Sequence, residues 1–569
     1  MPNVSRRRFL AASGVAGISA LAGASEATAF AKPAPQSFFD LIRPPDAVTT
    51  YEAKTPAVRL KSSGSVWAAE GITLQTDVVA TSAAATQLKV AISAPTQPLG
   101  RVHLRWQMRV ASGLRFLGDQ WERAYGDLEW RGLTGERVMP WYFLTTDGRR
   151  THGYGVATSP NAMAFWRVDN AGVSLWLDVR NGGSPVVLGE RTLDLCQVVT
   201  RKGRQNESPW QSARNFCAGL CRNPRVPKEP IYGGNNWYYA YGENCSAQDI
   251  ERDATLAAEL SGVQSNRPFQ VIDEGWELVS WGAGPWRYGN RRFPDMPGLA
   301  SRLKAIGVRP GIWMRPLLSR ERGLESWTLK KPGAGDEGVL DPTIPEVREH
   351  IRGDVAGLVA WGYELVKHDF STSDIFGRWG RGMGASLTDN GWAFRDRSRT
   401  TAEVVQDFYR AIREGAGEHT VVIGCNTIGH LGAGIFDLQR VGDDTSGKEW
   451  DRTRRMGVNA LAFRGVQNGA FFATDADCVG ITSDIPWDLN KQWLDLLSRS
   501  GTPLFVSAAP DALGNEQHKA IREAFARAAV RRPLAEPLDW LQTTTPERWR
   551  CEGETVTYDW YGATGVTAD

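Results

Sequence analysis

Lys367 and Asp369 stand two residues apart in the short apolar run 363–370, YELVKHDF. Such a run reads as a buried strand ending on a carboxylate. Side chains at i and i+2 share one face of a strand, so a cation and an anion point the same way. A carboxylate held ionised at the mouth of a parallel sheet can act as a nucleophile, and a neighbouring ammonium favours the ionised form. A structural ion pair at a strand end has the same spacing and perturbs pKa values without catalysing anything. The elements around the pair decide between the two.

Composition sets outer limits. The chain has 569 residues, 42% apolar and 23% charged, enough for two or three domains. Its 66 basic and 64 acidic residues nearly cancel, which argues against a nucleic-acid partner or an anionic membrane surface. The 23 tryptophans lean toward carbohydrate, whose apolar ring faces suit an indole, although tryptophan also fills cores. Seven cysteines, an odd number without ligand spacing, argue against a disulfide framework and a metal centre. The seven histidines include no His-x-x-x-His pair, so no metal or other cofactor is expected.

Ser5-Arg6-Arg7-Arg8-Phe9-Leu10, followed by a weakly apolar Ala/Gly-rich run, predicts a twin-arginine export signal over 1–31. Cleavage is expected after Ala31, with Ala29 as the alternative. The run is too short to span a membrane, so export to the periplasm or beyond is expected without membrane insertion.

From about 37 to 222 the pattern is strand-like. Segments 88–92, 102–106 and 173–177 alternate at period two, and convincing amphipathic helices are absent, which predicts a large β-sandwich. A proline-rich linker follows at 223–230. From 231 to 535 strand and helix patterns alternate. Strands are expected at 231–237, 269–273, 310–314, 363–369, 421–425, 439–443, 470–474 and 503–507. Helices are expected at 247–261, 298–306, 345–361, 400–415, 487–500 and 517–531, with no clear helix after the fifth strand. Eight such units predict a (β/α)8 TIM barrel. A doubly wound sheet is disfavoured because no Gly-rich phosphate loop follows the first strand. The remainder, 536–569, is a short C-terminal β extension with strands at 547–551 and 555–560.

Chemistry in such barrels gathers at the C-terminal strand ends. Those ends carry Trp237, then Asp273-Glu274-Gly275-Trp276, then Trp313 and Arg315, then Lys367 and Asp369. The fifth gives Cys425 and Asn426, the sixth Asp443-Asp444, the seventh Asp475 and Asp477. Single members have plain alternatives: Asp443 or Asp444 could cap a helix starting near Ser446, and Asp273-Glu274 could be turn residues. Together the carboxylates suit glycoside hydrolysis, which needs one ionised and one protonated carboxyl. Lys367 favours ionisation of Asp369, the candidate nucleophile. Adjacent like charges at Asp443-Asp444 predict one raised pKa there, and hence the acid/base.

On these motifs the barrel half resembles the clan D glycoside hydrolases, the melibiase-type α-galactosidases of families 27 and 36. Ile272-Asp273-Glu274-Gly275-Trp276 is similar to the family's sugar-binding turn, and Leu340-Asp341-Pro342-Thr343-Ile344-Pro345-Glu346-Val347 to its lead into a helix. Lys367-His368-Asp369 is similar to the Lys-x-Asp that carries the nucleophile, and Cys425 to a cysteine beside the sugar. Arg440-Val441-Gly442-Asp443-Asp444 is similar to the segment whose last aspartate is the acid/base, which selects Asp444. Asp475-Ala476-Asp477 resembles an Asp-Pro-Asp element. The preceding β domain is similar to the family 36 layout, with 118–130 reaching toward the active-site rim.

The chain departs from that pattern at Glu274, where an aspartate is usual, at Arg315, where a glutamate is common, and at Phe370-Ser371-Thr372. The resemblance implies a retaining α-glycosidase acting on oligo- or polysaccharides, with Asp369 as nucleophile and Asp444 as acid/base. It places Trp237, Asp273, Glu274, Trp313, Arg315 and Lys367 around the sugar, with Cys425, Asn426, Arg440, Asp443 and Asp477 beside them. The glycone stays open among galactose, N-acetylgalactosamine, β-L-arabinopyranose and isomaltosyl units, as does hydrolysis against transglycosylation. A sugar-binding barrel without activity is the reading from another class.

Overall fold

The computed structural model describes residues 34–562 apart from 53–55, 83–84, 243, 280–281 and 332–337. The expected export signal lies outside the described residues, as do 563–569.

Among the described residues, the alternating segments form a six-stranded and an eight-stranded antiparallel sheet. The period-two pattern sorts their faces: in strand Arg101–Gln107 the side chains of Val102, Leu104 and Trp106 are fully buried and the intervening ones are not. The two sheets meet face to face, with Phe143 of one set edge-on against Trp166 of the other at 5.6 Å between ring centroids. One helix interrupts the expected all-β run. Pro209–Ala218 starts on a capping box between Ser208 and Gln211 with proline in its first turn. Phe216 of that helix lies flat over Gly153, where any Cβ would overlap the ring.

The segment 223–230 carries no helix or strand, and a parallel sheet follows. Its strands are Tyr232–Asn235, Phe269–Ile272, Arg309–Met314, Leu365–His368, Val421–Gly424, Leu438–Arg440, Ala473–Asp475, Val479–Ile481 and Leu504–Ala508. The two pieces Ala473–Asp475 and Val479–Ile481 are halves of one seventh stave. The first pairs with the sixth strand and the second with the eighth, so the sheet closes on itself through 476–478 as a (β/α)8 barrel. The sequence pattern placed this strand at 470–474. Its first residues instead form a turn, because Asn468 Oδ1 accepts the Thr474 N–H at 2.8 Å and Gly469 N–H bonds to the Phe472 carbonyl.

The six expected helices are present at Ala247–Ser261, Met296–Ile306, Pro345–Ala360, Thr401–Ala416, Trp487–Arg499 and Asn515–Ala528. After the fifth strand there is a single helical turn, Gly429–Gly432. A further helical run links the sixth and seventh strands from Trp450 to Gln467, starting four residues past the Ser446 start considered from sequence. A π-helical stretch, Arg454–Val458, sits within it and shifts the phase of its apolar residues. The C-terminal residues add a three-stranded antiparallel sheet, Glu536–Pro537, Arg548–Cys551 and Glu554–Thr557, with Trp549 of its middle strand and Trp560 just past its end both buried.

Candidate active site

The fourth barrel strand sorts its side chains cleanly. Val366 and His368 face the helices, where the His368 ring lies among Phe408, Tyr409 and Phe436. Leu365 faces the barrel interior with Phe269, Val271 and Ile423, and the alternation puts Lys367 and Asp369 on that side. Leu365 and Val366 are fully buried, each contributing roughly 1.5–3 kcal/mol that fixes the strand carrying the two charges.

Lys367 does not pair directly with Asp369. Its Nζ lies 2.7 Å from Asp273 Oδ2 at the end of the second strand. Asp369 is held by donors instead: Oδ1 accepts the N–H of Phe370 at 2.7 Å and of Asn426 at 2.9 Å, and Oδ2 accepts Trp313 Nε1 at 3.2 Å. Burial pushes the Asp369 pKa up, but Lys367, Arg123 and these hydrogen bonds outweigh it and hold it at about 2. The carboxyl is therefore ionised across the ordinary pH range. Oδ2, with one long hydrogen bond, is the oxygen left with lone-pair capacity to attack.

The second strand ends in a tight turn. Asp273 is 3% exposed and accepts from Asn235 Nδ2 and Lys367 Nζ, both at 2.7 Å, and from the Glu274 N–H at 3.0 Å. Asp273 is thus an anchor of the turn as well as a site carboxylate. Gly275 follows at φ +118°, pressed so close to Gly242 that a Cβ would strike its backbone. Glu274 is half-buried. Burial, then the charges of Glu277, Asp273 and Asp369, lift its pKa to about 8, so near neutral pH it retains its proton.

Several expected sugar contacts have protein partners of their own. Arg315 is buried in an ion pair with Asp374 at 2.6 Å and lies over the Phe370 ring. Asn426 joins Asp369 through its N–H, while its Nδ2 donates to Glu122 Oε2 at 2.8 Å and its Oδ1 accepts from Ser373 N–H at 3.0 Å. Its geometry orients the Asp369 carboxylate. Cys425 is buried, with Arg440 Nη1 3.7 Å from its Sγ. Asp477, at φ +77° in the kink of the seventh stave, is 2% exposed. It accepts from Arg440 at 2.8 Å, Thr445 N–H at 2.8 Å and the Tyr238 hydroxyl. Trp237 is half-buried at the end of the first strand, edge-on to Tyr241.

At the sixth strand the two adjacent aspartates differ. Asp443 is tied at both oxygens, to Arg123 at 3.1 Å and to Arg452 at 2.9 Å. The Asp444 side chain is 39% exposed, with Arg440 Nη2 at 3.1 Å and Arg123 Nη1 at 3.6 Å from Oδ1. Neither caps a helix; the next one starts at Trp450 after Glu449. The expectation that one of the pair is raised fails for Asp444. Burial pushes its pKa up, yet Arg440 and Arg123 prevail and it lies below the usual carboxylate value. A like-charge neighbour in sequence raises a pKa only where arginines do not intervene.

Arg123 and Glu122 were not among the residues picked from sequence. They ride on an arm of the β domain, 119–127, that adds itself to the barrel mouth. Ala124 N–H bonds to the Val441 carbonyl and Asp443 N–H to the Ala124 carbonyl, both at 2.8 Å. Glu122 is fully buried and accepts from Asn426, Arg123 Nε, Gly380 N–H at 3.1 Å and the Tyr125 hydroxyl. The available signal was the charged pair Glu122-Arg123 inside an aromatic stretch that breaks the period-two alternation.

No protein-family model matches the chain. Solved structures do. An α-galactosidase from Thermus thermophilus, in complex with p-nitrophenyl α-D-galactopyranoside, aligns with TM-score 0.58 and 18% identity, over 86% of this chain and 97% of that one. A GH36 α-galactosidase from Geobacillus stearothermophilus, in complex with 1-deoxygalactonojirimycin, aligns with TM-score 0.61 and 15% identity, over 88% and 79%. The galactosidase domain of the α-galactosidase-sucrose kinase AgaSK aligns with TM-score 0.57 and 16% identity, over 81% and 67%. The chain thus has the fold of the GH36 α-galactosidases, a β-sandwich followed by a (β/α)8 barrel.

Proposed function

We propose that this protein is a retaining α-glycosidase of α-galactosidase type, exported through the twin-arginine signal at 5–10 and acting on oligo- or polysaccharides. The observation that carries the reading is the environment of Asp369. It is an ionised carboxylate at a barrel strand end, oriented by Trp313, Phe370 and Asn426, with the more open Asp444 two strands on. The structural relatives solved with p-nitrophenyl α-D-galactopyranoside, stachyose or raffinose support galactose as the glycone.

In this reading Asp369 Oδ2 bonds to the anomeric carbon as the glycosidic C–O bond breaks, and the proton on Asp444 goes to the departing oxygen. Asp444 then takes a proton from water, whose oxygen attacks the anomeric carbon and releases the Asp369 carboxylate. Protonated Glu274 offers a donor to sugar hydroxyls, and Asp273 beside it offers acceptor oxygens. Asp444 must enter the first step protonated against two arginines, so turnover falls as pH rises.

A panel of aryl glycosides on the purified mature chain tests the reading. p-Nitrophenyl α-D-galactopyranoside should be hydrolysed, and the first product anomer seen by NMR should match the substrate. An inverted first anomer excludes the covalent route, and binding without turnover of any glycoside favours a sugar-binding barrel.

A further inference from the structure

The β domain brings Glu122 and Arg123 to the barrel mouth, where Glu122 holds Asn426 and Arg123 addresses the more open of the two aspartates. Arg123 is 9% exposed. Its Nε holds Glu122 Oε2 at 3.2 Å, its Nη2 holds Asp443 at 3.1 Å, and its Nη1 stands 3.6 Å from Asp444 Oδ1. The guanidinium cannot drift, because its backbone is paired on both sides of Ala124 with 441–443. Arg464 staples the same arm from below. Its Nε donates to Asp119 Oδ1 at 2.7 Å, its Nη2 to the Gln120 carbonyl at 3.2 Å, and its Nη1 to the carbonyls of Glu122 and Val441. Asp444 therefore meets a cation fixed by the β domain on one side and Arg440 of its own strand on the other.

We propose that Arg123 is a positioning residue for the acid/base: it holds the Asp444 carboxylate in place and restrains its uptake of the proton that the leaving group needs. The β domain is then a working part of the site. This rests on the reading of Asp444 as acid/base given above. The other charged groups around Asp444 do not replace Arg123. Arg440 Nη2 also serves buried Asp477 at 2.8 Å, Lys367 is committed to Asp273, and Arg452 reaches Asp443. Asp369 and the Tyr238 hydroxyl act in the opposite sense or carry no charge, and Glu122 is answered by Asn426 and Arg123. Removing the Arg123 charge therefore lets Asp444 keep its proton to higher pH.

The test measures kcat/KM against pH for the full chain with p-nitrophenyl α-D-galactopyranoside, or with whichever aryl α-glycoside the panel shows to be turned over. Arg123→Gln should move the alkaline limb upward by about one pH unit or more, the size expected for an opposite charge lost at this range. Arg123→Lys keeps the charge but shortens its reach, so its limb should fall between the two. Because Arg123 is buried among carboxylates, each variant is first checked for a cooperative unfolding transition; if Arg123→Gln does not fold, Arg123→Lys alone decides. An alkaline limb that coincides with the parent's in every folded variant overturns the proposal, since a merely structural arginine would lower activity without moving it. Asp444→Asn separates the two failures. If it still cleaves glycosides with poor leaving groups at the parent rate, the acid/base reading falls and this inference with it. If it loses them while the Arg123 limbs stay put, this inference alone falls.

Discussion

Lys367 forms its ion pair with Asp273, 2.7 Å away across two strands, and not with Asp369 on its own. The ammonium still lies close enough to Asp369 to lower its pKa. One lysine thus locks the turn after the second strand and favours the ionised form of Asp369. A lysine paired tightly to Asp369 would occupy the oxygen that the proposed mechanism leaves to attack.

Replacing Asp369 or Asp444 by asparagine should cost activity unequally. Asp369→Asn should lose a factor of about 10³ or more in kcat for every glycoside. Asp444→Asn should lose much for sugar leaving groups and less for activated aryl ones, which need little protonation. Circular dichroism and denaturant midpoints should stay near the parent's. Comparable kcat values for the parent and Asp369→Asn would remove it as nucleophile.

Glu274 links stability to pH. Below about pH 4.5 both folded and unfolded chains carry its proton, so it contributes no slope. As pH rises, the unfolded chain releases the proton while the folded chain holds it to about 8, and stability is lost across that window. Glu274→Gln should therefore gain about 1–3 kcal/mol over the parent at pH 8, and nothing at pH 4. Urea titrations at the two pH values read this out; equal differences at both would contradict it.

The staple under the arm is a buried ion pair, Arg464 with Asp119, at 4% and 3% side-chain exposure. Arg464→Met leaves Asp119 charged without its partner and frees three backbone carbonyls, at a cost of about 3–5 kcal/mol. Guanidinium unfolding should show the loss, and limited proteolysis should open the chain first between 119 and 127.

At Gly275 a side chain would meet the Gly242 backbone at a φ of +118°. Gly275→Ala should cost about 2–4 kcal/mol and raise KM through displacement of Glu274. Thermal melting together with steady-state kinetics distinguishes this from a neutral substitution.

The barrel was legible because its signals are local. Strand runs such as 363–370 end on the candidate site residues, and Thr400 with Glu403 or Ser246 with Asp249 mark helix starts. The helical run from Trp450 was legible only as a start near Ser446, because its π turn breaks the 3.6 period, and Pro209–Ala218 was missed because its capping box sat inside a β pattern. Candidate residues such as Asn426 and Arg315 were found, but their partners Glu122 and Asp374 are long-range or lie past a turn. The lowered pKa of Asp444 needed Arg123, 321 positions earlier, and sequence spacing carries no trace of that contact.

The backbone pairing of Ala124 with 441–443 sets the limits of any shortened version of this enzyme. A barrel expressed from 231 onward would keep Asp273, Asp369, Asp443, Asp444 and Asp477, yet leave an unpaired strand edge at its mouth and Asp443 and Asp444 short of a counter-charge. Fragment libraries, domain grafts and fusion junctions should therefore treat the β-sandwich and barrel as one cassette, with tolerated cuts falling outside it.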